Sequence, residues 1–247
     1  MIELSSSPDP FNAAVIGATG GIGHAFVQAL LQDDKLGGLV ACSRNEPAVT
    51  HEKLAWAPLD ITDEATIEAA ATAAKDQGPF QLIVCATGIL HGDDLTPEKS
   101  YRTLEAEHLQ RVFSINTIGP ALVAKHFLPL LAPKERAVFA ILSARVGSIG
   151  DNRLGGWHGY RASKAALNMM IRNFAIETGR RHNEMICVGL HPGTVDTGLS
   201  KPFQGNVAPE KLFTPEQSVR HLLQVIDGLT PADSGGCLAW DGKKVPF

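Results

Sequence analysis

The sequence predicts a single-domain α/β protein whose parallel sheet is covered by helices on both faces. Short apolar runs alternate with longer helix-like segments along the whole chain of 247 residues. Several of these runs lack polar alternation, as is typical of strands that are buried on both faces. A hydrophobic content of 44% supplies enough apolar material for a core, and no linker or internal repeat divides residues 1–247.

The pattern predicts seven strands and five helices. The strands are predicted at residues 12–17, 38–43, 56–60, 81–86, 137–143, 185–190 and 237–240. The helices are predicted at residues 23–32, 63–75, 104–131, 160–181 and 215–228. An N-cap signal lies at residues 61–64, and Thr214 precedes a proline at the first helical position of the last helix. Gly119 and Pro120 lie inside the third helix, so we expect it to be kinked there or to begin later.

Charge and composition exclude several classes of function. A net charge of −4 provides no broad basic field for a nucleic acid. No stretch approaches the length of about 18 apolar residues that indicates a membrane helix, and residues 1–11 lack the features of a secretory signal. We therefore expect a cytoplasmic protein with no membrane partner. The four cysteines are interpreted as buried thiols, and the nine histidines show no ligand spacing, so no metal site is predicted.

A glycine-rich loop follows the first predicted strand. Gly17, Gly21 and Gly23 have the spacing GxxxGxG, and a helical pattern begins at once. A turn without side chains lets the main chain approach a pyrophosphate, whose charge the free N–H groups of the following helix stabilise. The loop therefore indicates a dinucleotide site, although glycines here can also serve only to make the turn.

The end of the second predicted strand bears on which dinucleotide is bound. Sites that prefer NAD usually place an acidic residue there, to hold the ribose 2′-hydroxyl. This chain has Ser43 and Arg44 instead, and arginine can form bidentate hydrogen bonds to a 2′-phosphate. We therefore expect NADP(H) in preference to NAD(H), with a solvated surface arginine as the alternative interpretation.

Polar residues in the second half of the chain form a candidate catalytic set. Tyr160 and Lys164 are four residues apart on a predicted helix and hence share one face. A neighbouring ammonium group favours the phenolate, so we expect Lys164 to lower the pKa of Tyr160. Ser143 ends an apolar strand, and Asn116 lies in an apolar helical segment where an amide needs a partner.

In the order and spacing of these motifs, the sequence resembles the short-chain dehydrogenase/reductase superfamily over nearly its whole length. The C-terminal residues 241–247 resemble its branch of carbonyl reductases that includes C-factor and sniffer-type proteins. The resemblance implies a Rossmann-type, doubly wound sheet of about seven strands, and a homodimer or homotetramer. It also implies an NADP(H)-dependent oxidoreductase that transfers hydride between nicotinamide and a carbonyl or alcohol substrate, an aldehyde or ketone in the direction of reduction.

The same resemblance implies a role for each matching residue. Tyr160 would be the general acid, Ser143 would bind the carbonyl oxygen, Lys164 would hold the nicotinamide ribose, and Asn116 would connect Lys164 to solvent through water. Val195 and Thr197 would hold the carboxamide. The cofactor-binding residues implied or predicted are Gly17, Thr19, Gly20, Gly21, Ile22, Gly23, Ser43, Arg44, Asp60, Ile61, Ala86, Thr87, Gly88, Asn116, Tyr160, Lys164, Pro192, Gly193, Val195 and Thr197.

Two features depart from the family pattern. Residues 85–88 read Cys-Ala-Thr-Gly where the family usually has Asn-Asn-Ala-Gly, so the structural amides are lost and the glycine is kept. The segment after Ser143 is longer than usual, and its Trp157, its arginines and His158 are candidates to line the substrate entrance. We expect the substrate loops near residues 144–159 and 198–214, and the sequence does not identify the substrate.

Two other functions remain open at this stage. One is a dinucleotide-binding sensor or signalling protein without catalysis, which retention of both Tyr160 and Lys164 disfavours. The other is an epimerase or dehydratase acting on a nucleotide sugar. Those enzymes share the glycine loop and the YxxxK motif but have longer chains, and 247 residues leave little room for their additional substrate domain.

Overall fold

The computed structural model describes residues 4–92 and 94–247, which form nine strands and six α-helices. The strands are β1 (Phe11–Ile16), β2 (Leu36–Ser43), β3 (Leu54–Pro58), β4 (Leu82–Cys85), β5 (Ala137–Leu142), β6 (Met185–His191), β7 (Thr194–Val195), β8 (Leu212–Phe213) and β9 (Cys237–Ala239). The helices are α1 (Gly21–Leu31), α2 (Glu64–Ala74), α3 (Ala106–Phe113), α4 (Gly119–Phe127), α5 (His158–Gly179) and α6 (Pro215–Asp227).

Seven strands form one parallel sheet in the order β3-β2-β1-β4-β5-β6-β9. All seven strands predicted from the apolar runs are present, with ends that differ by one or two residues. The chain reverses its direction of progress across the sheet between β1 and β4, and such a switch point is where doubly wound sheets bind ligands. The predicted fold class is confirmed.

Both faces of the sheet are buried. Along β1, Ala13 and Val15 pack into one core with α1 and α6, whereas Ala14 and Ile16 pack into a second core with α2, α4 and α5. Successive side chains of a strand point to opposite faces, so a strand between two helical layers must be apolar at every position. The four cysteines are free and buried, as expected.

The predicted capping residues begin their helices as expected. The Asp63 side chain accepts a hydrogen bond from the Ala65 N–H at the start of α2. Thr214 and Gln217 form a capping box at the start of α6, whose first turn contains a proline. Among residues 4–92 and 94–247, no helix combines the length and apolarity that are needed to cross a membrane.

The predicted helix at residues 104–131 requires correction. The chain is helical from Ala106 to Leu130, but a π-helical turn at Ser114–Ile118 separates α3 from α4, and the last turn is a 3₁₀ helix. Pro120 has no N–H to donate, which removes one bond of a regular α-helix. The short strands β7 and β8, which pair in a separate two-stranded parallel sheet, were not predicted.

Candidate active site

The predicted site residues converge at one edge of the sheet, because the carboxyl ends of parallel strands lie together. The glycine loop follows β1, Arg44 follows β2 and Asp60 lies two residues after β3. Residues 86–88 follow β4, Ser143 follows β5 and residues 192–197 follow β6. Segments far apart in sequence therefore form one candidate site.

The glycine loop provides an open helix N-terminus. Gly17 has a φ of +85°, a conformation that side chains disfavour. A Cβ at Gly23 would lie within 3.0 Å of the Gly17 main chain, so the loop and the first turn of α1 pack without any side chain between them. No side chain caps α1 and its first turn has no acidic residue, while Thr19 and Gly20 are exposed. The arrangement fits a pyrophosphate.

Three polar residues surround the ends of β2 and β3. Arg44 is exposed, whereas Ser43 is buried and its hydroxyl donates to the Asn45 carbonyl at 2.7 Å. The carboxylate of Asp60 accepts hydrogen bonds from the main chain and hydroxyl of Thr62 at 2.9 and 2.7 Å, and these bonds lower its pKa. Ser43 thus shapes the turn beyond β2, and Arg44 is the side chain there with a cationic group open to solvent.

The main chain after β4 lies close to β1 and to the catalytic candidates. The Ala86 N–H donates to the Ile16 carbonyl at 2.8 Å, which ties the two central strands together at this end of the sheet. Thr87 contacts the thiol of Cys85 at 3.5 Å. A Cβ at Gly88 would lie 3.4 Å from Asn116 Oδ1 and 3.6 Å from Lys164 Nζ, so this glycine lies between two of the predicted residues.

Asn116 is fully buried on the π-helical turn. Its Oδ1 accepts from the Ile89 N–H at 2.8 Å, and its Nδ2 donates to the Ile89 carbonyl at 2.9 Å and to Ser163 Oγ at 3.2 Å. No hydrogen bond joins Asn116 directly to Lys164. The amide therefore anchors the segment after β4 to α5, and the predicted water relay stays a prediction.

Tyr160 and Lys164 occupy successive turns of α5, and Ser143 lies at the end of the neighbouring strand β5. Lys164 Nζ lies 5.9 Å from the centre of the Tyr160 ring and donates to the Leu142 carbonyl at 2.9 Å. Ser143 is buried, and its hydroxyl donates to Asn168 Oδ1 at 2.7 Å. The structure thus brings three of the four predicted catalytic residues together. The fourth, Asn116, is linked to them through its hydrogen bond to Ser163, the residue before Lys164.

The pKa values correct one expectation. Burial raises the pKa of Tyr160 to about 12 and lowers that of Lys164 to about 8. The direction is opposite to the prediction that Lys164 lowers the pKa of Tyr160, because loss of hydration on burial is the cause of the shift. At neutral pH the phenol therefore holds its proton, and most of Lys164 is charged.

Residues 192–197 form a second loop facing the glycine loop. A Cβ at Gly21 would lie 2.7 Å from Thr197 Cγ2, so the two loops nearly touch. Gly193 has a φ of +79°, and a Cβ there would collide with the ring of Phe213. The Pro192 carbonyl accepts from Ser218 Oγ at 2.8 Å, and Val195 belongs to the small β7–β8 sheet. The loop is therefore fixed by α6, through Ser218, and by strand β8.

An aromatic wall lies beside Tyr160, and the sequence identified only part of it. We define this wall as His91, Trp157 and Phe203. Trp157 lies 6.4 Å from the Tyr160 ring and 5.0 Å from Phe203, and His91 lies 5.7 Å from Phe203, all between ring centres. Trp157 was predicted at the entrance, but no spacing in the sequence pointed to the other two. No ring contact or hydrogen bond brings the side chain of His158 to this wall.

Glu98 was also missed by the sequence. This buried residue accepts a hydrogen bond from the Gly159 N–H through its carboxylate at 3.1 Å and one from the Trp157 N–H through its main-chain carbonyl. Trp157 has a φ of 50° and no side chain of its own turn caps α5. Glu98 therefore supplies the cap of the helix that carries Tyr160. Its neighbours Pro97 and Lys99 give no local signal of such a role.

Two further polar residues, His191 and Arg145, lie at the end of β6 and after β5. Burial lowers the pKa of His191 to about 4, and its Nδ1 has no hydrogen-bond partner in the described part of the chain. Arg145 forms an ion pair with Asp151 at 3.5 Å. Within residues 4–92 and 94–247, no three side chains of the His, Cys, Asp or Glu type gather as a metal site would require.

The comparisons with known proteins agree on one protein family. A family model described as short chain dehydrogenase matches residues 12–207. The chain is 33% identical over 230 residues to 1-hydroxy-2-glutathionyl-2-methyl-3-butene dehydrogenase of Rhodococcus sp. (strain AD45). That match covers 92% of this chain and 96% of the relative.

Two solved structures are similar along almost the entire chain. The NADPH-bound carbonyl reductase from chicken fatty liver has a TM-score of 0.82 and 29% identity, and the match covers 98% of this chain and 96% of that one. The carbonyl reductase Sniffer of D. melanogaster has a TM-score of 0.81 and 25% identity, with coverages of 96% and 100%.

Proposed function

The chain belongs to the short-chain dehydrogenase/reductase family and is an oxidoreductase of the CH–OH/carbonyl class, and from this premise we propose that it is an NADP(H)-dependent aldehyde or ketone reductase. The observation that carries the proposal is the arrangement of Tyr160, Lys164 and Ser143 at the sheet edge, next to an open glycine loop. Catalytic groups and an anion-binding loop at a switch point are what hydride transfer from a dinucleotide requires.

The residues of the site fit the cofactor in three places. The uncapped N-terminus of α1 would receive the pyrophosphate, and Arg44 would receive the 2′-phosphate. Val195 and Thr197 would hold the carboxamide, since their loop faces the glycine loop. When bound, nicotinamide would supply the hydride that reduces the carbonyl carbon.

The protein would supply the proton and stabilise the charge that develops on oxygen. Tyr160 is protonated at neutral pH and would donate to the carbonyl oxygen, which leaves a phenolate on a half-buried side chain. Lys164 offsets that negative charge and is held in position by the Leu142 carbonyl. Ser143 would donate a hydrogen bond to the same oxygen. The aromatic wall would cover the apolar part of the substrate.

Turnover and cofactor binding together test the proposal. NADPH oxidation would be followed by absorbance with a panel of aldehydes, ketones and diketones, and NADPH affinity would be measured in parallel. Turnover on members of the panel is expected. Tight binding without turnover on any substrate would favour the sensor instead.

We predict that Arg44→Asp lowers the affinity for NADPH about 100-fold and changes that for NADH by less than about threefold, since charge-assisted bonds to one phosphate contribute about 1.5–3 kcal/mol. Titrations of both cofactors, followed by fluorescence, measure the two dissociation constants. Arg220→Asp is the matched control, because Arg220 is also exposed but lies on α6. Equal losses of affinity for both cofactors would show that Arg44 does not bind the 2′-phosphate.

We predict that the rate of reduction falls as pH rises through about 8, the value to which burial lowers the pKa of Lys164. A lowered pKa means that the charged form is present below about pH 8 and is lost above it. The charged form is the one that stabilises the Tyr160 phenolate. A pH profile of kcat measures the effect, and Lys164→Arg, which stays charged, should abolish the fall. A wild-type kcat that stays constant across alkaline pH would contradict the role assigned to charged Lys164.

A further inference from the structure

Asn168 is a buried amide that no step described so far uses. It lies on α5 one turn after Lys164, so both side chains point from the same helix face toward the sheet. Its neighbours on that face, Leu167 and Ile171, belong to the apolar core. A buried amide in such surroundings is costly unless it is hydrogen-bonded.

The partner of this amide is Ser143. Ser143 Oγ donates to Asn168 Oδ1 at 2.7 Å, and both residues are at most 5% exposed. A hydroxyl has one hydrogen to donate. While that hydrogen points to Asn168, Ser143 cannot donate it to a carbonyl oxygen. The proposed function requires such a donation, so the hydrogen must be redirected during the reaction.

The amide can redirect it without loss of another bond. Within residues 4–92 and 94–247, the side-chain hydrogen bond that Asn168 forms is the one that its Oδ1 accepts from Ser143, and Nδ2 is not engaged in it. A half-turn of the amide therefore exchanges Oδ1 for Nδ2 against Ser143. In that orientation Nδ2 donates to Oγ, and the hydroxyl hydrogen is free to point at the substrate. Donors in series also polarise each other, which strengthens the bond to the substrate.

This inference rests on the proposed function: we propose that Asn168 is the positioning residue of Ser143. In one orientation its amide accepts the hydroxyl hydrogen of Ser143, and in the other it directs that hydrogen to the substrate oxygen. The other side chain against Ser143 is the thiol of Cys237, whose pKa is raised by burial to about 11 and which therefore stays protonated at neutral pH. A thiol is a weak donor, so it is a poor substitute for the amide.

Two substitutions separate this role from simple packing. Asn168→Asp keeps the shape but as a carboxylate only accepts, so it holds the Ser143 hydrogen away from the substrate. Relative to the wild type at the same pH, we expect kcat to be about 100-fold lower at alkaline pH and to recover partly as acid protonates the carboxyl group, and NADPH affinity to stay within about twofold. Asn168→Leu leaves the hydroxyl free to rotate, and a smaller loss of about tenfold is expected.

A double-mutant cycle with Ser143→Ala completes the test. If Asn168 acts through Ser143, either substitution at Asn168 should change kcat by less than about twofold in the Ser143→Ala background. Asn173→Asp is the matched control, because Asn173 is exposed on the same helix. Circular dichroism would establish that each variant is folded. The Tm of each variant would also be measured, so that the same double-mutant cycle can be calculated for stability.

The outcomes are distinct. A kcat of Asn168→Asp equal to that of the wild type at every pH, or equal losses with and without Ser143, would overturn the proposal. An equal loss in Cys237→Ala would assign the role to the thiol instead and would also overturn it. A wild-type protein without turnover would overturn the proposed function, and the role of Asn168 with it. The Tm cycle would then still show whether the two side chains interact.

Discussion

Replacing Tyr160 by phenylalanine is expected to lower kcat by about 10²–10⁴-fold, the range that general acid catalysis contributes. The substitution removes the phenolic oxygen and leaves the ring that packs against Trp157. Because only the proton donor is lost, the affinity for NADPH should change by less than about threefold. Steady-state rates and cofactor titrations on the two proteins measure both quantities.

The control for this substitution must be a ring of the same kind outside the site. Tyr101→Phe meets this need, because Tyr101 is the other of the two tyrosines in the chain and is 67% exposed. Its kcat should equal that of the wild type. If Tyr160→Phe retained most of its activity while Tyr101→Phe did too, the proton would have to come from another group, and the reductase mechanism given above would be wrong.

Replacing Gly23 by alanine is expected to weaken NADPH binding by at least about 100-fold. The new Cβ would press on the main chain of Gly17, which cannot rotate away as a side chain could. Overpacking of this kind costs about 3 kcal/mol, and the displaced loop would no longer direct its N–H groups at a pyrophosphate. Cofactor titration measures the loss of affinity, and thermal unfolding measures the accompanying loss of stability.

Gly179→Ala is the matched control for the glycine loop. Gly179 ends α5, and nothing lies within 4 Å of the position of a new Cβ. Both the affinity for NADPH and Tm should stay close to those of the wild type. Tight NADPH binding by Gly23→Ala would place the pyrophosphate elsewhere, and the anion site assigned to the N-terminus of α1 would be wrong.

The sheet was predictable because its signal is local. A strand buried on both faces needs an unbroken apolar run, and β5 is buried at all six positions. The position of Ser143 at the end of that run was predictable for the same reason. Strand and helix ends were less certain, since Pro58, where β3 ends, and Gly21, where α1 begins, are not marked by a change in hydrophobicity.

The remaining features depend on contacts between distant segments. The π-helical turn places Asn116 against Ile89, and neither residue signals the other in the sequence. The aromatic wall combines three segments in the same way. The pKa of Tyr160 follows from its burial, which a motif of two residues cannot report. What the spacing of Tyr160 and Lys164 did predict was their shared face on one helix.

The cap that Glu98 provides for α5 determines when the site can form. Glu98 and Gly159 are 61 positions apart, so their bond requires closure of a long loop, whose entropic cost must be met before the contact stabilises anything. We therefore expect the first turn of the helix that carries Tyr160 to be completed late in folding and to be among the first parts to open. Hydrogen exchange at the Gly159 amide therefore measures how often the native protein loses its site while the sheet stays folded.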